Sequence, residues 1–202
     1  DDGRTFIGNG SMNLIRGAVT ANFIDVKKVR NFDEVAAVLE CEGYNEEKIK
    51  EIHKVYSEFY WEHCTENTEP YEGVVDLLQR IATSANSSKS KCAAMLTNKP
   101  VAPSQKILAK SGLENSFAPS LCGDTTPERK PSPAGIFEIL RRTGIAPEKA
   151  IMIGDDTPDV LAAKNAGIDC ITLFEGFGKA ENLLPLEPRY TAGHIKDFAE
   201  FI

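Results

Sequence analysis

Three carboxylates, Asp155, Asp156 and Asp159, crowd into five residues directly after the short apolar run Ile151-Met152-Ile153. Acids so placed, at a strand end beside a helix start, suit a hard divalent cation that takes oxygen ligands and keeps several waters, with Mg2+ the natural choice. Helix capping competes with that reading: Asp156 or Thr157 as N-cap, with Pro158 in the first turn, explains one acid but hardly all three. Lys130 lies between the Pro127 turn and Pro131-Ser132-Pro133, whose prolines stiffen the backbone and prepare a helix start. A lysine held this way acts as a compact positive charge on a phosphoryl group. Its bland alternative is a solvated ammonium beside Glu128 and Arg129. Thr97-Asn98-Lys99 follows the apolar run 92–96, so the Thr97 hydroxyl and the next amides can hold an anionic oxygen. An ordinary turn is the alternative there.

The elements that must position these groups follow from the hydrophobic period. Between residues 6 and 68 the apolar positions recur at helical spacing, for example Ile49, Ile52, Val55, Tyr56, Phe59 and Tyr60, and no strand is evident. Three or four short helices are expected, one of them capped by Asn31 and ended at Gly43. The aromatic stripe Tyr56, Phe59 and Tyr60 reads as packing rather than a binding surface. From residue 74 onward short apolar runs alternate with helical patterns, the mark of repeated βαβ units. Strands are expected over 92–96, 118–122, 150–153 and 170–174, and helices over 73–82, 104–111, 133–143 and 157–165. The reading is an α/β protein: a Rossmann-like parallel sheet core with helices on both faces, residues 71–202, plus a helical cap domain, residues 1–70. In such sheets ligands collect beyond the carboxyl ends of the strands, where Thr97 and Asp155 fall.

Composition narrows the function classes. The 202 residues carry 23 basic and 30 acidic side chains for a net charge of −7, with no basic run, so neither nucleic acid nor a membrane surface is an expected partner. Five cysteines stand apart, at 41, 64, 92, 122 and 170, none in a C-x-x-C pair. They read as reduced thiols of a cytoplasmic protein. His53, His63 and His194 have no metal-ligand spacing, and no Ser-His-Asp or Cys-His order is present.

In order and spacing these stretches resemble the haloacid dehalogenase superfamily of Mg2+-dependent phosphohydrolases, within it the phosphoglycolate phosphatase-like branch. Thr97 is similar to the family's second motif, Lys130 to its third-motif lysine, and Asp155 with Asp159 to its G-D-x-x-x-D metal motif. Gly123-Asp124 through Pro133 resembles the branch's G-D-x-x-P-x-[RK]-K-P-x-P pattern. Phe6 to Gly10 resembles the opening of its cap, Thr68 to Val74 the return to the core, and Gly176-Phe177-Gly178 a late Gly-aromatic-Gly loop. The resemblance implies a phosphatase for a small phosphomonoester, working through an aspartyl phosphate. Asp155 would ligate Mg2+, with Asp156 or Asp159 behind it; Lys130 and Thr97 would neutralise and orient the phosphoryl group, and Asn98 would support them. The cap would choose the substrate, with Arg16 and Lys27 conceivable carboxylate contacts.

The chain departs from the family at its start. Members open with a strand ending in D-x-D-G-T, whose first Asp attacks phosphorus. Asp1-Asp2-Gly3-Arg4-Thr5 imitates those letters without the apolar strand or the spacing, so Asp1 and Asp2 are read as a loop entering the cap. The missing strand belongs between the runs ending at Leu96 and Ile153. Either a segment outside these residues supplies it, which is the expectation, or the two neighbours close on each other. A rival class is an inactive relative or fragment that binds phosphate or a protein partner; a phosphomutase or pyrophosphatase of the same superfamily is the other enzymatic reading.

Overall fold

The computed structural model describes residues 8, 10–25, 29, 32–84 and 91–198. The expectations for Asp1, Asp2, Lys27 and the Asn31 cap lie outside the described residues. The chain divides into two compact units, residues 1–64 and 65–202.

The first unit is helical, with α1 (Ser11–Thr20), α2 (Phe32–Cys41) and α3 (Glu46–His63). Asn45 starts α3 by accepting the Lys48 amide at 3.0 Å, and Glu46 and Glu47 place negative charge at the positive end of the helix dipole. Ile15, Val35, Leu39 and Ile49 meet in the core, with Tyr56 packed against it. Phe59 departs from the packing expected of it: it is 64% exposed, while Tyr56 stacks on Tyr60 with ring centroids 5.6 Å apart. The physical reason is length, since α3 has 18 residues and α1 and α2 ten each, so its last turns outrun their cover within the unit. Arg16 Nη2 donates to both oxygens of the Glu46 carboxylate, at 2.9 and 2.8 Å, and Nη1 donates to Asn13 Oδ1, so this guanidinium is already engaged at the surface.

The second unit alternates strand and helix. In chain order it has α4 (Val74–Ser84), β1 (Met95–Leu96), α5 (Val101–Lys110), β2 (Ser120–Leu121), α6 (Ala134–Thr143), β3 (Ile151–Gly154), α7 (Thr157–Ala166), β4 (Asp169–Leu173), α8 (Ala180–Leu183) and β5 (Tyr190–Ala192). Gly144 and Gly167 end α6 and α7 in the left-handed conformation, where the lack of a Cβ removes the usual penalty. α5 begins three residues earlier than its apolar spacing suggests, because the Asp124 carboxylate accepts the Val101 amide at 3.0 Å from across the chain.

All strand pairs are parallel, yet they form two sheets, β1-β2 and β3-β4-β5. β1 and β3 do not pair, so direct closure of these neighbours is not what happens. The consequence shows in burial. β4, with a partner on each side, is buried from Cys170 to Leu173, each 4% exposed or less. Among the described residues β1 and β3 have one partner each and stay partly exposed, Ile151 at 41%. Parallel strands are normally covered throughout, so both edges are under-protected.

Cys41 and Cys92 are exposed, whereas Cys64, Cys122 and Cys170 are buried, and none of the five is in a disulfide. Burial pushes the Cys122 thiol up and the Cys170 thiol up to about 11. Because the thiolate is the reactive form, an aromatic disulfide reagent at neutral pH is expected to titrate two thiols quickly and the other three only on unfolding. More than two fast thiols would contradict this packing. Among the described residues no helix is long and apolar enough to cross a membrane.

Candidate functional site

The carboxyl ends of β1 and β3, far apart in sequence, are tied together by one ammonium. Lys130 Nζ donates to the Leu96 carbonyl at 2.9 Å and to Asp159 Oδ1 at 2.6 Å. Both side chains are almost enclosed, at 11% and 9% exposure, so this pair is a buried one and removal of either partner would strand a charge. Asn98 fixes the lysine from behind. Its Oδ1 accepts the Lys130 amide at 2.9 Å and its Nδ2 donates to the Lys130 carbonyl at 3.0 Å. Asn98 therefore acts on Lys130 through the backbone, and Asn98→Ala is expected to cost about 1–3 kcal/mol for two lost bonds to part-buried groups, read by urea unfolding. Thr97 follows the Leu96 carbonyl immediately, and its Oγ1 accepts the Lys99 amide at 3.1 Å, leaving the hydroxyl proton to donate.

The three acids divide their work. Asp156 Oδ1 accepts the Thr157 amide at 2.8 Å, and Asp159 Oδ2 accepts the Asp155 and Asp156 amides at 3.2 Å each, a capping box at the start of α7. Capping thus accounts for two of the three, more than their clustering suggests, and Asp159 also holds Lys130. Asp155 is the acid that neither caps the helix nor holds the lysine. Phe177 N donates to its Oδ2 at 2.9 Å, and Gly178 N donates to its backbone oxygen at 3.0 Å. A Cβ on Gly176 would land on the Asp155 carboxylate, and one on Gly178 on the Asp155 backbone oxygen. The two glycines are what let this loop close over Asp155.

Burial first, and then the Asp159 charge, raise the Asp155 carboxyl above its ordinary range; burial, then Asp159 and Asp155, raise that of Asp156. A carboxyl raised on folding contributes stability below its unfolded pKa and loses it as pH rises through the folded value. Without a cation, then, these two groups weaken the fold on passing from acid to neutral pH. A divalent ion would relieve that cost. Asp155→Asn is accordingly expected to raise the thermal midpoint in chelator at neutral pH while abolishing any midpoint increase by Mg2+. A lowered midpoint in chelator, or a retained Mg2+ effect, would count against the assignment.

No three acidic, histidine or cysteine side chains converge on one point among the described residues. Beyond the expected residues the structure adds the Leu96 carbonyl, the Phe177 amide and Tyr71, whose hydroxyl is raised by burial and by Asp155 and Glu175 nearby. Backbone groups leave no signature in side-chain types, so only the Gly-Phe-Gly letters could have pointed to the loop.

Comparison with known proteins agrees with this architecture. The family described as haloacid dehalogenase-like hydrolase matches residues 18–173. Phosphoglycolate phosphatase 1 of Pseudomonas aeruginosa is 31% identical over 195 residues, covering 96% of this chain and 63% of that protein. Phosphoglycolate phosphatase of Psychrobacter arcticus is 29% identical, covering 92% of this chain and 72% of that protein. The chain thus spans about two thirds of the length of these relatives. The crystal structure of a predicted phosphoglycolate phosphatase from Haemophilus somnus superposes with a TM-score of 0.80 at 23% identity, covering 98% of this chain and 80% of that one. A haloacid dehalogenase-like family hydrolase from Streptococcus pneumoniae gives 0.69 at 22% identity, covering 100% and 92%. The match along most of its length places this chain in the haloacid dehalogenase-like hydrolase family.

Proposed function

We propose that the chain is the larger part of a Mg2+-dependent phosphatase for a small phosphomonoester, phosphoglycolate foremost, acting in the cytoplasm. The observation that carries this is the fixed ammonium of Lys130 at the shared carboxyl ends of β1 and β3, beside Thr97 and the loop-held Asp155. Lys130 would take one phosphoryl oxygen and the Thr97 hydroxyl another, so the dianion arrives oriented and partly neutralised. Asp155 would hold Mg2+, which when bound supplies positive charge against the phosphoryl group. The nucleophilic Asp would come from a segment outside these 202 residues. Its carboxylate oxygen attacks phosphorus as the ester oxygen leaves, giving an acyl phosphate; water then hydrolyses that bond, returning the carboxylate and releasing phosphate. This chain's part is to orient the group and stabilise charge. The helical unit would act as the cap that selects the substrate.

The second reading, an inactive relative that binds phosphate or a protein partner, is favoured by one observation: Asp156 and Asp159 are spent on capping and on Lys130, which leaves Asp155 as the one of the three acids that does neither. A phosphate-release panel decides, run with Mg2+ on the full-length polypeptide and including phosphoglycolate, pyrophosphate and sugar phosphates. We expect Mg2+-dependent turnover of a small monoester and its loss in Asp155→Ala. No turnover of any substrate would favour the inactive reading, preference for pyrophosphate a pyrophosphatase, and isomerised sugar phosphate without net release a phosphomutase.

A further inference from the structure

The loop that closes over Asp155 is pinned at its entrance by another carboxylate. Just past β4 the Phe174 amide still bonds the Ala192 carbonyl at 2.9 Å, and three residues later Phe177 grips Asp155 Oδ2. Glu175 holds the stretch in between. Its Oε1 accepts the Ile195 amide at 2.8 Å, its Oε2 meets His194 Nδ1 at 3.0 Å, and its side chain is 10% exposed. The turn it reaches is a fixed base. There the His194 amide donates to Asp197 Oδ2 at 2.9 Å, and the Asp197 amide donates back to the His194 carbonyl at 3.1 Å. Ile195 sits in the core with Leu77, Ile171 and Leu173. Charge alone would not put an acid here. Burial first, then Asp155 and Glu175, raise the Tyr71 hydroxyl, so a second enclosed negative charge lies in the neighbourhood of Asp155. What the glutamate offers against that repulsion is reach, from the loop entrance to the Ile195 amide.

We infer that Glu175 is a positioning residue for Asp155. By tethering the loop entrance to the turn at 194–197, it sets where the Phe177 amide lies, and so which way the Asp155 carboxylate points before any ligand arrives. Order acquired in folding lowers the cost of binding an ion later. The inference deepens the phosphatase reading and rests on it for what Asp155 holds; the tether itself rests on the hydrogen bonds alone. The competing role is a cap on the turn Ile195–Asp197, since Glu175 accepts the first amide of that turn. The two roles differ in what they move: a cap steadies the turn, whereas a tether also fixes Phe177 and Asp155 on the far side of the loop.

The test compares three variants of the full-length polypeptide. Glu175→Asp keeps the charge and loses the reach, Glu175→Gln keeps the reach and loses the charge, and Asp197→Ala loosens the same turn from its other side. Hydrogen exchange of the Phe177 amide, followed by NMR without Mg2+, is expected to quicken about tenfold or more in Glu175→Asp and to stay near wild type in the other two. Calorimetry is expected to show Mg2+ affinity lowered by about 10- to 100-fold in that variant alone, the scale for a group that orients a metal ligand. Equal losses in Glu175→Gln would assign the effect to charge, and equal losses in Asp197→Ala to the turn as a whole; either overturns the proposal. So does unchanged Phe177 exchange in Glu175→Asp, or quickened exchange with Mg2+ affinity intact. The expected exchange pattern in a polypeptide that binds no Mg2+ would instead sink the metal reading and leave the tether on Asp155 standing.

Discussion

Replacing Lys130 with methionine is expected to destabilise the chain by about 3–5 kcal/mol, the range for stranding one partner of a buried ion pair. The cause is the Asp159 carboxylate, 9% exposed, which would lose the Lys130 ammonium at 2.6 Å while still drawing the Asp155 and Asp156 amides. Asp159→Asn should cost less, since an amide still accepts from those two donors. Combining the two changes should recover part of the loss, because no buried charge is then left alone, and a double-mutant cycle in urea measures that coupling. In the full-length polypeptide Lys130→Met is further expected to lower turnover by about 100-fold or more, the scale for deleting one preorganised donor to a developing charge. Additive stability losses near zero coupling would mean that the pair is not the clamp described.

Alanine at Gly176 is expected to lower Mg2+ affinity by about 10- to 100-fold, the scale of changes to groups that orient a metal ligand. The added Cβ would occupy the position of the Asp155 carboxylate, so the acid or the loop must move, and the Phe177 amide loses its grip on Oδ2. Forced overpacking of this kind also costs about 1–3 kcal/mol. Gly193 supplies the control, since a Cβ there meets nothing closer than 3.6 Å, and alanine should leave affinity unchanged. Titration calorimetry with Mg2+ on both variants separates the loop's role from a general loss of fold. Equal effects at the two glycines would remove the loop from the proposed metal site.

The sequence was most readable where structure is local. Apolar spacing and caps located α4, α6 and α7 to within a residue or two, and the four expected strands all contain ladder residues. β5 escaped because Tyr190–Ala192 buries a single side chain, and so carries no apolar run to notice. β1 and β2 pair over only two residues each, fewer than their apolar runs suggest, as a strand flanked on one side keeps little regular ladder. At the candidate site, residue types pointed to Thr97, Lys130 and Asp155, and hydrogen bonds through Leu96 and Asp159 link the strand ends that carry them. It could not be read from types that Asn98 clamps Lys130 across 32 positions, or that Asp156 and Asp159 cap α7 reciprocally. The same D-x-x-D spacing serves a metal and a capping box equally well, and only the direction of the carboxylates separates the two.

Thr97, Lys130 and Asp155 are proposed to face one phosphate group beside one divalent ion. Amide chemical shifts of the isotope-labelled chain, followed while Mg2+ and inorganic phosphate are added together, test it most directly. Joint, saturable shifts are expected at Thr97, Lys130, Asp155 and residues 176–178, with the phosphate response lost when Mg2+ is withheld. Shifts confined to other surfaces, or phosphate binding indifferent to both Mg2+ and Asp155→Asn, would contradict it.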